Sequence, residues 1–390
     1  MRPLLFCAST QYWDETWFRK QHFMARLSRG RPVAYVEPSH SILRAPPAHI
    51  PPASRNDPFR MRVRRAGESL WIMTPPMGFP LWTRPAVSRI QHRRCGRLLR
   101  KEAARLGFDR AWLWLYNPVY VEAVPTLAPE RLILDLVDDL GAYEARAETR
   151  RNMRSCVERA IASADLVLAT STALVEAYAA RTRSGNISLV PNGVRGDWID
   201  RVPGAAPAPV RDLPHPRIGF VGALFSYLDY PLMHAAARAF PEGSLALVGP
   251  VRDAAAVERL RREPNVRIVG PVPQASVPDF IASFDVCLAP FRPGPIRRAV
   301  DPLKIYEYLA LGRPVVATPL ESLLGGPIAE QIKFAEGPEE FVAAIRRALE
   351  DDDPQTRAAR REAVRPFAWE ALADRVERIV EEAERGWSTT

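Results

Sequence analysis

The chain has 390 residues, 47% hydrophobic and 25% charged. That is too long for one ordinary domain, suits two with separate cores, and excludes a disordered or fibrous protein. The net charge of +9 is uneven: residues 1–200 hold 30 Lys and Arg against 19 Asp and Glu, the remainder 24 against 26. An acidic polymer or an anionic membrane surface would answer the basic half. An Arg-rich chain that places Arg on every solvated face would show the same excess.

PLLFCAS (3–9) reads as a first buried strand, with no signal-peptide h-region before it and no apolar run of the roughly 20 residues that cross a bilayer. Strands are then expected at 32–38, 70–76, 111–116, 132–138, 165–171 and 187–193, with helices over 17–29, 85–106, 150–163 and 172–181. The runs RMRVRR (60–65) and QHRRCGRLLRKEAARLG (91–107) carry most of the basic excess, and the second is helical and amphipathic, as a lipid-facing helix would be. Residues 199–215, rich in Pro and Ala, read as a linker between domains 1–198 and 216–368.

The second domain repeats the pattern with strands at 217–223, 245–250, 266–272, 285–291, 314–319 and 332–336. Short runs apolar on both faces mean parallel strands covered on both sides. The fold class is therefore α/β, with two doubly wound Rossmann-like domains facing a cleft and ligands beyond the carboxyl ends of the strands. A last helix, 369–390, packs back on the body through Leu372, Val376 and Ile379. Cys7, Cys95, Cys156 and Cys287 are spaced neither as a disulfide framework nor as a zinc site, which fits a cytoplasmic protein.

DPLKIYEYLALGRPVVATP (301–319) carries the most chemistry. Asp301 and Pro302 are residues that open a helix, and Gly312 is one that ends it. The free amides at such a helix start, with Lys304 nearby, suit a phosphate. Glu307 follows about 7.5 Å along the axis from Pro302, a carboxylate placed to accept from the two hydroxyls of a ribose. An i,i+3 surface ion pair between Lys304 and Glu307 is the open alternative.

The stretch resembles the donor-binding motif of retaining GT-B glycosyltransferases of the family 4 type. GFVGALFSYLDYPLM, VRIVGPVPQASVPDFIASFDVCLAPFRPG, LILDLVDDLGAYE and ADLVLATSTALVEAYAARTRSGNISLVPNGV extend the likeness to teichuronic-acid and exopolysaccharide enzymes over nearly the whole chain. The resemblance implies ribose binding by Glu307, phosphate binding by the turn at Pro302 and Leu303, base contacts from Gly270, Val272 and Pro273, and close passage of the diphosphate by Gly222. Two departures stand out. Ala299 occupies the position of the motif's first Glu, and GALFSYLDY lacks the usual Arg and Lys, so Lys304 with Arg292, Arg297 or Arg298 must supply the charge.

In the first domain Asp138 and Asp139 end a strand and are candidates for orienting an acceptor or stabilising charge at the donor's anomeric carbon. A capping or exposed role for the same pair stays open. Tyr12, Trp13 and Trp17 offer rings for stacking on a sugar, and His22 and Asn117 are further acceptor-side candidates. The expected activity is metal-independent and cofactor-free transfer of a sugar from a nucleotide donor, UDP before GDP, to a glycan or polyprenyl-linked acceptor. The expected place is the cytoplasm, peripheral to the inner membrane face. A nucleotide-sugar epimerase, or a catalytically silent binder given Ala299, are the alternatives. No GxGxxG follows a strand and no nucleic-acid motif is present.

Overall fold

A computed structural model describes residues 2–40, 54–79, 84–138, 147–183 and 185–387. The chain divides into two compact units, one made of residues up to Val190 with those from Ala373 on, the other of Pro191–Leu372. Each is a doubly wound α/β unit, as the alternation of apolar runs and helical patterns requires.

The first unit has strands β1 (Leu4–Ala8), β2 (Val33–Val36), β3 (Arg62–Gly67), β4 (Leu70–Thr74), β5 (Ala111–Leu115), β6 (Arg131–Leu136), β7 (Leu166–Ala169) and β8 (Ile187–Leu189). Their order is β3-β4-β2-β1-β5-β6-β7-β8, parallel throughout except for β3, which runs antiparallel to β4. Every residue of β1, β2 and β5 is buried, which explains why their sequences read as unbroken apolar runs. β3 was expected only as a basic run. Its sequence RVRRAG has no apolar stripe, because it is an edge strand on which Arg62 and Arg65 are exposed and half-buried Arg64 pairs with Asp14 at 2.5 Å.

The second unit has β9 (Arg217–Val221), β10 (Ser244–Val248), β11 (Val266–Gly270), β12 (Val286–Ala289), β13 (Val315–Ala317) and β14 (Ile332–Phe334), all parallel, in the order β11-β10-β9-β12-β13-β14. Side chains alternate strictly between two apolar layers. Ile218, Phe220, Leu245, Leu247, Val286 and Leu288 join Met233 and Phe341 on one face, while Ala246, Val248, Cys287 and Ala289 join Phe280, Phe284 and Tyr308 on the other.

Two boundaries differ from the sequence reading. Residues 199–215 belong to the second unit, where Ile199 and Val210 enter the same core as Phe280 and Phe284. The last helix, Trp369–Trp387, counts with the first unit from Ala373 on. There Asp374 and Glu377 pair with Arg26 at 2.7 and 3.0 Å, Glu384 pairs with Arg31 at 3.0 Å, and Trp387 packs edge-on against Trp112. Its buried stripe runs through Leu372, Ala373, Val376 and Val380, with Ile379 half-buried. Among the described residues no helix is long and apolar enough to cross a membrane.

Candidate functional site

In both sheets the strand order reverses beside the first strand, between β1 and β5 in one unit and between β9 and β12 in the other. Such reversals open a crevice at the carboxyl edge, where ligands of doubly wound sheets sit. In the second unit β9 and β12 pair only at Ile218↔Val286 and Gly219↔Cys287. Past that point the Tyr308 hydroxyl fills the opening, accepting from the Val221 amide at 2.8 Å and donating to its carbonyl at 3.2 Å.

Gly222 follows β9 at φ +141, a backbone that favours glycine, and a Cβ there would lie 3.1 Å from Lys304 Cε. The Lys304 ammonium lies over two rings, 4.8 Å from the Phe220 centroid and 5.1 Å from that of Phe291. Burial pushes its pKa down to about 8, against an upward pull from Glu307. Glu307, one turn on, is pushed up to about 7 by burial, against a downward pull from Lys304. Among the described residues neither side chain has a hydrogen-bond partner, and no ion pair joins them, so the surface-pair alternative is not what the chain builds. A half-buried acid and base left unpaired at a strand edge are costly to folding and available to a ligand.

The helix that carries them is Leu303–Ala310, and its opening corrects the expected cap. Pro302 occupies the N-cap position with no side-chain bond to the helix amides. Asp301 is instead buried and turned away: Oδ2 accepts from the Asn192 amide at 2.6 Å, Oδ1 from the Tyr306 hydroxyl at 2.9 Å, and its carbonyl from Asn192 Nδ2 at 2.8 Å. With Asp301 engaged elsewhere, the Leu303 and Lys304 amides find no acceptor among the described residues. Gly312, at φ +70, ends the helix as expected, with the Arg313 amide reaching back to the Tyr308 carbonyl at 2.9 Å.

The base-side candidates fall at the neighbouring strand ends. The Gly270 carbonyl, closing β11, accepts from the Gly249 amide at 2.8 Å, and a Cβ on Gly249 would lie 2.1 Å from the Gly222 carbonyl. Val272 is half-buried against the core and Pro273 is exposed. Of the three arginines that follow β12, Arg297 pairs with Glu336 at 2.6 Å and Arg298 with Glu321 at 3.7 Å. Arg292 is exposed with no carboxylate at ion-pair distance among the described residues. Ala299 is 8% exposed at the end of the short helix Pro295–Ala299.

In the first unit the crevice between β1 and β5 is served by a residue the sequence reading missed. Lys20 is buried, donates to Thr10 Oγ1 at 2.7 Å and sits 5.5 Å over the Tyr116 ring; burial pushes its pKa down to about 8. Asp138, half-buried just past β6, acts on it electrostatically, whereas Asp139 lies outside the described residues. Beside it Arg19 donates to both oxygens of Asp135 at 3.1 Å and to the Val190 carbonyl at 2.8 Å, a fully buried ion pair fixing the helix Arg19–Leu27. A signal for Lys20 was present. Only four of the 54 basic residues are lysines (Lys20, Lys101, Lys304 and Lys333), and two of these stand at the two crevices.

The aromatic candidates are largely withdrawn into the unit. The Tyr12 hydroxyl bonds the His40 ring. Trp13 is turned inward against Tyr35, its amide donating to Glu37 Oε1 at 3.0 Å. Buried Glu37, also held by Ser54 and Thr74 at 2.8 and 2.6 Å, draws the loop down, and its pKa is raised by burial. Trp17 alone of the three rings is exposed, with His22 edge-on to it. Asn117 was expected as an acceptor-side group; its Oδ1 instead accepts from the Val119 amide at 3.2 Å and caps the turn Pro118–Ala123.

Residues 215–351, which span β9 to β14, match the family model of glycosyl transferases group 1. They form a glycosyltransferase group 1 domain. The chain is thus a transferase enzyme by its second unit, and the crevice holding Lys304 and Glu307 lies within that domain. Over 281 residues, 68% of this chain and 70% of the relative, it is 27% identical to TuaH of Bacillus subtilis (strain 168), a protein named for glycosyl transfer in teichuronic acid biosynthesis. Among solved structures, the sucrose-phosphate synthase of Thermosynechococcus elongatus aligns at TM-score 0.70 with 17% identity, covering 99% of this chain and 100% of that one. HepE of Anabaena, described in complex with UDP-glucose, aligns at 0.64 with 16% identity and 97% and 99% coverage. The fold is that of the two-domain GT-B glycosyltransferases.

Proposed function

We propose that this glycosyltransferase moves a sugar from a nucleoside diphosphate donor, UDP before GDP, to a glycan or polyprenyl-linked acceptor in cell-surface polysaccharide synthesis, with retention and without a metal ion. The observation that carries the reading is the unpaired Lys304 and Glu307 at the β9–β12 crevice, beside Gly222 and the free amides of Leu303 and Lys304. The ammonium and amides bind the diphosphate, and Arg292, without a carboxylate partner among the described residues, adds charge. Glu307 accepts from both ribose hydroxyls, with Gly270, Val272 and Pro273 flanking the base. HepE, described in complex with UDP-glucose, supports uridine. TuaH supports a polysaccharide product. In the first unit Asp138 orients the acceptor hydroxyl, with Lys20 holding its charge.

Ribose recognition has a direct test. Isothermal titration of wild type with UDP and 2′-deoxy-UDP should show a preference for the ribonucleotide of about tenfold or more, since a carboxylate left without its donor loses a charge-assisted bond. In Glu307→Ala the two ligands should bind alike. An undiminished preference in the variant would place ribose recognition elsewhere.

A further inference from the structure

The helix Pro85–Arg105 is seated by one face and bare on the other. His92, Cys95, Gly96, Leu99 and Ala103 are buried, and Gly96 lies so close to Ala123 and Thr126 that a Cβ would meet the Ala123 carbonyl at 2.7 Å. On the opposite face Ile90, Arg93, Arg97, Arg100 and Lys101 recur at helical spacing and are exposed. Among the described residues Arg93 and Arg97 have no carboxylate at ion-pair distance.

Among the described residues of this unit, three of the four exposed large hydrophobic side chains lie on this helix or on segments bonded to it. Phe59 is 73%, Ile90 60% and Phe79 37% exposed. Arg94 ties both segments to the helix, donating to the Phe59 backbone carbonyl at 3.4 Å and lying 5.7 Å over the Phe79 ring, while Gln91 accepts from the Phe79 amide at 2.9 Å. Arg60, on the chain leading into β3, is exposed on the same segment as Phe59. Apolar side chains held outward beside arginines such as Arg93 and Arg97 are the mark of an interfacial surface.

We infer that this face docks on the headgroup layer of an anionic lipid bilayer, with Phe59, Phe79 and Ile90 entering the acyl boundary and the arginines meeting lipid phosphates. A nucleic acid or acidic polysaccharide would reward the arginines but not the exposed phenylalanines and isoleucine, which is why a lipid surface fits better. The inference names the face behind the lipid-linked acceptor reading, yet it uses no step of the donor assignment.

The test is flotation of the full chain with vesicles of phosphatidylglycerol and phosphatidylcholine, or of phosphatidylcholine alone, in the absence of nucleotide. Wild type should float with the anionic vesicles and stay behind with the neutral ones, increasingly released by salt. Arg93→Glu with Arg97→Glu should weaken partitioning more than tenfold, at about fivefold per arginine near a charged surface. Phe59→Ser with Ile90→Ser keeps every charge and should also weaken it severalfold. Both variants change exposed positions, and unchanged UDP binding would show that each is folded. Equal flotation of all three proteins overturns the inference. So does a serine variant that floats like wild type while heparin strips both equally, which would make the face a general polyanion surface.

Discussion

Glu307 and Lys304 set a pH window that can be worked out from their directions. The binding form needs a carboxylate and an ammonium together. Affinity for a nucleotide sugar, whose diphosphate has no proton to lose near neutrality, should peak between about pH 7 and 8. Below it Glu307 gains a proton, and above it Lys304 loses one, each limb approaching tenfold per pH unit. Titration calorimetry from pH 5.5 to 9.5 checks this, and Glu307→Gln should flatten the acid limb only; a flat wild-type profile would refute it. Folding carries the opposite sign. A raised Glu307 contributes stability that is complete below about pH 4.5 and lost as pH rises through about 7, while a lowered Lys304 contributes stability above about pH 10.5 that is lost as pH falls through about 8. The site is therefore best charged for binding where it helps folding least.

At the scale of elements, Asp301 decides how the donor-side helix is presented. Three of its oxygens receive Asn192 and Tyr306, which clips the chain at the start of the second unit to the helix opening. Asp301→Ala strands a buried amide and a buried hydroxyl and should destabilise the unit by about 2–5 kcal/mol in urea unfolding. Asp301→Asn, which keeps an acceptor, should lose less; an alanine variant as stable as wild type would remove Asp301 from this role. Asp301 also shows where sequence reading stops. Its place before Pro302 fits a helix cap, but the better partner is Asn192, 109 residues away, and no local pattern records that. The central strands were legible because burial on both faces leaves unbroken apolar runs. β3 was not, since an edge strand of charged residues has no such run, and Trp13 and Asn117 were read as acceptor-side groups because Glu37 and the Val119 amide, which hold them inward, are fixed only by the fold.

For the whole molecule, the two sheets share one plan: each reverses at a crevice, and each places a lysine there with its ammonium over an aromatic ring. Everywhere else the chain draws its positive charge almost wholly from arginine, which stays protonated at any physiological pH. This division has a chemical consequence. At pH 8 about half of an amine with a pKa near 8 is uncharged and nucleophilic, against about 0.3% for an ordinary lysine. A small electrophile such as cyanate should therefore carbamoylate half-buried Lys304 ahead of exposed Lys101, and a bound nucleotide should shield it, both readable by peptide mass spectrometry. Faster modification of Lys101 would contradict the lowered pKa. Because arginine is silent to such reagents, a chain this basic behaves toward them as though it held only a few amines, and the most reactive of them report on the crevices.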